Sequence, residues 1–125
     1  MMDLTRYATW IFDCDGVILD SNEVKSEAFY ETALPYGKKY AEALRKYHKK
    51  NGGISRFKKW RHFFDNIIKE SSTGKDYANA LNKFGQISER KLAECPETRG
   101  IKTLLEKIPA GCLKIVVSGG AQAEV

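Results

Sequence analysis

Two short apolar runs bracket a long amphipathic middle. Residues 8–13 (Ala-Thr-Trp-Ile-Phe-Asp) and 113–117 (Leu-Lys-Ile-Val-Val) are β-branched or aromatic-rich, and the second stops at Ser118-Gly119-Gly120. Runs of this kind predict parallel strands buried on both faces. Between them, nearly everything predicts helix. Residues 23–34 and 36–50 are rich in Glu, Ala, Lys and Leu, with Pro35 and Gly37 marking the break. A third helix follows Gly52-Gly53-Ile54, with Ser55 as N-cap. Its packing stripe is Phe57, Trp60, Phe63, Phe64, Ile67 and Ile68. Residues 75–84 and 86–94 predict two shorter helices split at Gly85, with Ser88 as a cap. Residues 98–108 carry Ile101, Leu104, Leu105 and Ile108 on one face and stop at Pro109. Residues 122–125 read as the first turn of another helix. The pattern contains no internal repeat and no low-complexity segment.

The order strand, helical insertion, helix, strand predicts an α/β fold. The insertion, residues 21–97, is long enough to form its own helical bundle. Residues 1–20 and 98–125 leave about 48 residues for the strand-bearing part, too few for an independent α/β core. A parallel pair also needs further strands beside it. The expectation is a piece of a longer α/β protein, or missing strands supplied by another chain.

Composition adds limits. In 125 residues, 42% are hydrophobic and 30% charged, the balance of a soluble globular protein. The apolar runs are too short to span a bilayer, so no membrane partner is expected. Met1–Arg6 has no apolar signal core, which predicts a cytoplasmic protein. Cys14, Cys95 and Cys112 lack metal-ligand spacing and read as reduced thiols. The net charge of +5 comes mostly from lysines between Lys38 and Lys91. Solvated helix faces explain it more simply than nucleic-acid binding, because the aromatics sit on the packing stripe; no nucleic-acid partner is expected. Some of the cations could instead draw in an anionic substrate.

The chemistry concentrates in Trp10-Ile-Phe-Asp13-Cys-Asp15-Gly16. Alternation along a strand places Asp13 and Asp15 on one side. At a strand's carboxyl end they form a hard, oxygen-rich site suited to Mg²⁺, with one carboxylate free to attack and the other to move protons. Gly16 allows the chain to turn sharply away. The plainer alternative is a strand-end turn with capping carboxylates.

These residues resemble the haloacid dehalogenase superfamily of phosphatases and phosphomutases. Asp13-Cys-Asp15-Gly-Val-Ile is similar to its first motif and Val116-Val-Ser118-Gly-Gly120 to its second. The resemblance implies part of a Rossmann-like core, from residues 1–20 and 98–125, with an inserted α-helical cap domain at 21–97. It implies Asp13 as the nucleophile that becomes an aspartyl phosphate, and Asp15 as the acid that protonates the leaving oxygen and later activates water. Mg²⁺ would bind the Asp13 carboxylate and the Asp15 main-chain carbonyl. Ser118 and the Gly119 amide would hold phosphoryl oxygens at a helix N-terminus. The dehalogenases of the family lack an acid at the position of Asp15, so its presence favours phosphate chemistry. The third and fourth motifs, a lysine and further acidic metal ligands, have no counterpart before Val125. The resemblance therefore implies a chain that turns over little alone and an active longer parent.

Gly52-Gly53-Ile54-Ser55-Arg56 resembles the element that leans over the active site in helical-capped members such as β-phosphoglucomutases. Arg56, in the first helical turn and opposite the packing stripe, is a candidate ligand for an anionic substrate, and Lys59 a weaker one. The alternative for both is an ordinary surface cation. His48 and His62 read as surface or helix-packing residues, and Asp20 and Asn22 as hinge or turn residues. The expected activity is a Mg²⁺-dependent phosphatase acting on a small phosphorylated metabolite, such as a sugar phosphate. The alternatives are a phosphomutase of the β-phosphoglucomutase type, or a non-catalytic binding fragment.

Overall fold

The computed structural model describes residues 3–69 and 73–120. The helical turn expected at residues 122–125 lies outside them. The fold is mixed α/β. Strand β1 (Thr9–Asp13) pairs in parallel with β2 (Leu113–Val117), in a register that sets Asp13 opposite Val117. Both strands therefore end at one level, and the turns that follow them emerge side by side.

Helix α1 (Asn22–Ala33) passes through a single 3₁₀ turn, Leu34–Tyr36, into α2 (Lys38–Lys50). Gly37 makes that break with φ of 129°, a value that disfavours any side chain. Helix α3 (Arg56–His62) starts at Ser55, whose hydroxyl accepts from the Lys58 amide, and runs on as a π-helical stretch, Phe63–Ile68. Helix α4 spans Gly74–Ala93 without interruption. The expected break at Gly85 does not occur. A reciprocal capping box between Thr73 and Asp76 starts the helix, and Ala80, Phe84, Ile87 and Ser88 bury one continuous face. Those contributions outweigh the roughly 1 kcal/mol that an interior glycine costs. Ser88 is consequently a buried mid-helix residue and no cap. Helix α5 (Ile101–Lys107) then leads to β2.

Two hydrophobic clusters result. The larger joins α1–α4 through Phe29, Leu44, Trp60, Phe63, Phe64 and Phe84. Trp60 meets Phe63 edge-on, with centroids 5.2 Å apart, and Phe29 lies 4.2 Å from Phe84. The smaller cluster packs Phe12 of β1 against Ile101 and Ile108, with Trp10, Leu104 and Leu105 at its margin. Between the clusters the chain crosses twice, and the crossings are tied together: Asp20 N–H donates to the Pro96 carbonyl (3.0 Å) and Thr98 N–H to that of Ile18 (2.9 Å).

Two expectations fail here for identifiable reasons. The strands are not buried on both faces. Among the described residues α5 covers one side of the sheet, while Ile11 is 67% exposed and every residue of β2 is exposed. The packing stripe of α3 holds at Trp60, Phe63, Phe64, Ile67 and Ile68 but not at its start. There the inward residues are Arg56 and Lys59, at spacings of four and one before Trp60, whereas Phe57 is 57% exposed. Arg56 therefore lies on the core-facing side of the helix. Among the described residues no helix is long and apolar enough to cross a membrane.

The contrast between Trp60 and Phe57 generates a stability prediction. Trp60→Ala should lower unfolding free energy by about 3–5 kcal/mol, as expected for a fully buried tryptophan. Phe57→Ala should change it by no more than about 0.5 kcal/mol. Urea titration followed by circular dichroism reads both; a comparable loss at Phe57 would put the core on the other face of α3.

Candidate active site

The turn after β1 is built around the Cys14 carbonyl, which accepts from the amides of Val17, Ile18 and Leu19 (3.3, 2.9 and 3.1 Å). Gly16 closes it with φ of 76°, and a Cβ there would stand 2.6 Å from the Asn22 side-chain nitrogen. Glycine is needed on both counts. The tight turn aims both carboxylates into one cleft of about 750 Å³. The sheet end contributes Asp13, Asp15, Gly119 and Gly120 to this cleft. The helices contribute Lys25, His48, Arg56 and Lys59, among others.

Asp13 is exposed at the strand end, and its Oδ1 accepts from the Cys14 amide at 2.7 Å. Asp15 sits deeper. Its Oδ1 accepts from Ser21 Oγ (2.7 Å) and its Oδ2 from Lys25 Nζ (2.5 Å). Burial alone would raise the Asp15 pKa. The hydrogen bonds from Lys25 and Ser21, with the charges of Lys25 and Arg56, outweigh burial and hold it below the usual carboxylate value. Lys25 is the residue that sequence reading missed. It lies one helical turn after Ser21, so any helix starting near residue 22 carries it back over the turn that presents Asp15.

Ser118 follows β2, half-buried, and accepts from the Gly120 amide at 3.1 Å. Gly119 beside it lines the cleft near Asp13 and Asp15. The helix expected after this turn falls outside the described residues. Asp20 is tied by its backbone to Pro96 and Cys95, and Asn22 opens α1 against Gly16, in keeping with turn roles.

The far wall comes from α2 and α3. The Arg56 guanidinium lies 4.8 Å from the centroid of the Phe84 ring. Lys59, only 3% exposed, places Nζ 2.9 Å from His48 Nδ1 and 5.7 Å from the centre of the Phe29 ring. Burial and the charge of Lys25 lower the Lys59 pKa. His48 is pushed down to about 4, by burial first and then by Lys59, Lys25 and Lys49, against a small opposing effect of Glu23. It is thus a neutral cleft residue packed on Phe29, more than a surface histidine. His62 does have a packing role, stacked on Tyr47 at 3.8 Å.

Among the described residues no cluster of three or more His, Cys, Asp or Glu side chains could hold a metal ion. Mg²⁺ commonly takes only one or two carboxylates, with waters and substrate phosphate completing its shell. The exposed Asp13 carboxylate and the Asp15 carbonyl fit that in kind, whereas the Asp15 carboxylate is taken by Lys25 and Ser21.

Parallel strands ending together at paired carboxylates, with helices lining the other wall of the cleft, define an α/β fold with a candidate site at the strand ends. The model of the haloacid dehalogenase-like hydrolases matches residues 10–125, and the chain belongs to that family. No curated protein matches the sequence. Among solved structures, the fold is similar to that of a candidate phosphoglycolate phosphatase from Lactobacillus plantarum. The TM-score is 0.71 and the identity 16%, over 94% of this chain and 52% of that one. The chain thus spans about half the length of that protein, and at this identity the likeness is one of fold.

The environment of His48 predicts a pH response. Its folded pKa of about 4 lies below the ordinary 6.5, so the unfolded chain binds the proton more readily. The stability this provides is complete above about pH 6.5 and is lost as pH falls towards 4, by at most about 3 kcal/mol. His48→Gln should flatten that part of a stability-versus-pH curve measured by urea titration. An unchanged slope in the variant would remove His48 as its source.

Proposed function

We propose that the cleft is the phosphoryl-transfer site of a Mg²⁺-dependent phosphatase acting on a small phosphorylated metabolite, sugar phosphates included. The observation that carries this reading is the convergence of Asp13, Asp15 and Gly119 at the strand ends on a cleft whose helical wall supplies Arg56 and Lys59. Residues 1–20 and 98–125 form the core part on this reading, and residues 21–97 act as a cap. The description of the structural neighbour, a candidate phosphoglycolate phosphatase, supports a phosphate monoester as substrate.

An Asp13 carboxylate oxygen attacks phosphorus and the bond from phosphorus to the ester oxygen breaks, leaving an aspartyl phosphate. Asp15 delivers its proton to the departing alkoxide, then takes a proton from the water that attacks phosphorus and restores Asp13. Ser118 and the Gly119 amide orient the non-bridging oxygens, and Arg56 and Lys59 hold the rest of the substrate. Asp15 is ionised while it is paired with Lys25, so it can act as an acid only after that bond is exchanged and it has taken up a proton. An entering phosphate ester offers Lys25 a replacement partner, and Asp15, once released, takes a proton from solvent before donating it to the leaving oxygen. Mg²⁺, held by the Asp13 carboxylate and the Asp15 carbonyl, would supply neutralising charge to the transferring group.

In the natural polypeptide that carries this sequence, Asp13→Asn should reduce phosphate release from p-nitrophenyl phosphate by at least about a thousandfold. Retained activity would exclude Asp13 as nucleophile. Arg56→Ala should raise KM for a physiological sugar phosphate more than it lowers kcat for the aryl ester; equal losses on both would make Arg56 a structural residue.

A further inference from the structure

Charge is divided unevenly along the chain, and the fold gathers the excess at one corner. Of 21 basic and 16 acidic residues, residues 38–69 hold 11 basic and only two acidic, Glu42 and Asp65. This stretch therefore carries +9 and the remainder −4. It comprises α2, the Gly52-Gly53 loop and α3 with its π-helical extension. His48 of α2 meets Lys59 of α3, and Tyr47 stacks on His62, so the two helices lie side by side. Lys46 and Lys50 on α2 and Lys58 on α3 flank that contact, all three exposed. Glu42 is paired with Arg45, and Lys49 with Glu23 of α1. Among the described residues no carboxylate lies within ion-pair distance of Lys46, Lys50 or Lys58. Helix electrostatics accounts for only part of this pattern. Cations near the C-terminus of α2 suit its dipole, but Arg56 and Lys58 in the first turn of α3 oppose it, and no acid accompanies them there.

These three lysines border the cleft without lining it. Its helical wall includes His48, Lys49, Arg56 and Lys59. Lys50 follows Lys49, Lys58 precedes Lys59, and Lys46 sits one helical turn before Lys50. The cleft also contains the acids Asp13, Asp15 and Glu23, which repel a phosphate ester. Asp15 is neutralised by Lys25 and Glu23 by Lys49, so the unpaired charges at the border set the field that an approaching anion meets. Such charges act over about 30 Å at low ionic strength and about 8 Å at physiological salt. We propose that Lys46, Lys50 and Lys58 steer anionic substrate into the cleft, concentrating it at the entrance without holding it once bound. This rests on the phosphoryl-transfer reading and adds how the substrate arrives. The lysines then govern kcat/KM and its dependence on salt. They leave kcat alone, because kcat describes enzyme that already holds its substrate.

The test follows hydrolysis of p-nitrophenyl phosphate by the natural polypeptide that carries this sequence, at fixed Mg²⁺ and at ionic strengths from about 0.02 to about 0.5 M. In the wild-type protein kcat/KM should fall about tenfold across this range, with kcat changed by less than about twofold. The triple variant Lys46→Gln, Lys50→Gln, Lys58→Gln should lose about fivefold in kcat/KM at the lowest salt, keep its kcat, and match the wild type at the highest. A control variant, Lys102→Gln, Lys107→Gln, Lys114→Gln, removes the same charge from exposed positions of α5 and β2 outside the cleft. It should lose less than about twofold. A salt-independent kcat/KM in the wild-type protein, which needs no variant to fold, would overturn the steering while leaving the phosphoryl-transfer reading intact. A loss in the first variant that persists undiminished at high salt would also overturn it, since a contact or a folding defect is not screened in this way. Equal losses in the two triple variants would assign the effect to net charge and overturn it as well. Absence of turnover in the wild-type protein at every salt concentration would overturn the phosphoryl-transfer reading, and the steering with it.

Discussion

The contact among Phe29, Trp60 and Phe84 decides where the charges of the cleft stand. Phe29 lies against both other rings, at 4.2 Å from Phe84 and 5.8 Å from Trp60, and so locks α1, α3 and α4 together. The same rings then serve as platforms. His48 and Lys59 rest on Phe29, and Arg56 rests on Phe84. Core packing and ligand geometry are therefore not separable in this half of the molecule. A substitution that loosens the aromatic trio also displaces the cations it carries.

The cleft balances opposite charges from two sources. The sheet end brings carboxylates because a parallel pair in register delivers both following turns to one edge. The helices bring ammonium and guanidinium groups because the inward stripe of α3 runs past the end of the aromatic core and out into the cleft. The Asp15–Lys25 pair joins the two sources and spans the boundary between the hydrophobic clusters. An ion pair in that position ties α1 to the turn after β1 while it holds the Asp15 carboxylate in its charged form.

How much of this was legible in the sequence depended on the range of the interaction. The strand ends, Gly16 and the Ser55 cap are local, and their positions follow from a few adjacent residues. The α/β class and the family followed from the two strand-end motifs. The stripe of α3 followed from Trp60 onward, but its first turn did not, because Phe57 and Arg56 are neighbours and only the location of Phe84, a distant residue, decides which turns inward. Gly85 misled for a related reason: a capping box at Thr73 and a buried face spanning Phe84 to Ser88 outweigh one flexible residue. Lys25 was hidden because a lysine in a first helical turn has no distinguishing pattern until the preceding loop folds back on it. The exposed state of β2 reverses the usual inference from a β-branched run, since that run reports what the strand prefers to contact and not what covers it among the described residues.

The β1–β2 pair has a consequence for how the molecule behaves in company. Among the described residues each strand has one edge without a partner strand, and Ile115, Val116 and Val117 expose apolar surface beside one of them. Such an edge templates extended polypeptide of almost any origin. No proline or inward charge blocks it in Leu113–Val117, and the single lysine, Lys114, is a weak guard against lengthwise pairing. Whatever docks there sets more than solubility. Because Val117 and Asp13 sit at matched positions, a strand laid alongside β2 would bear on Ser118 and on the spacing between the two turns. Sheet growth and the shape of the cleft are in that sense one mechanical system.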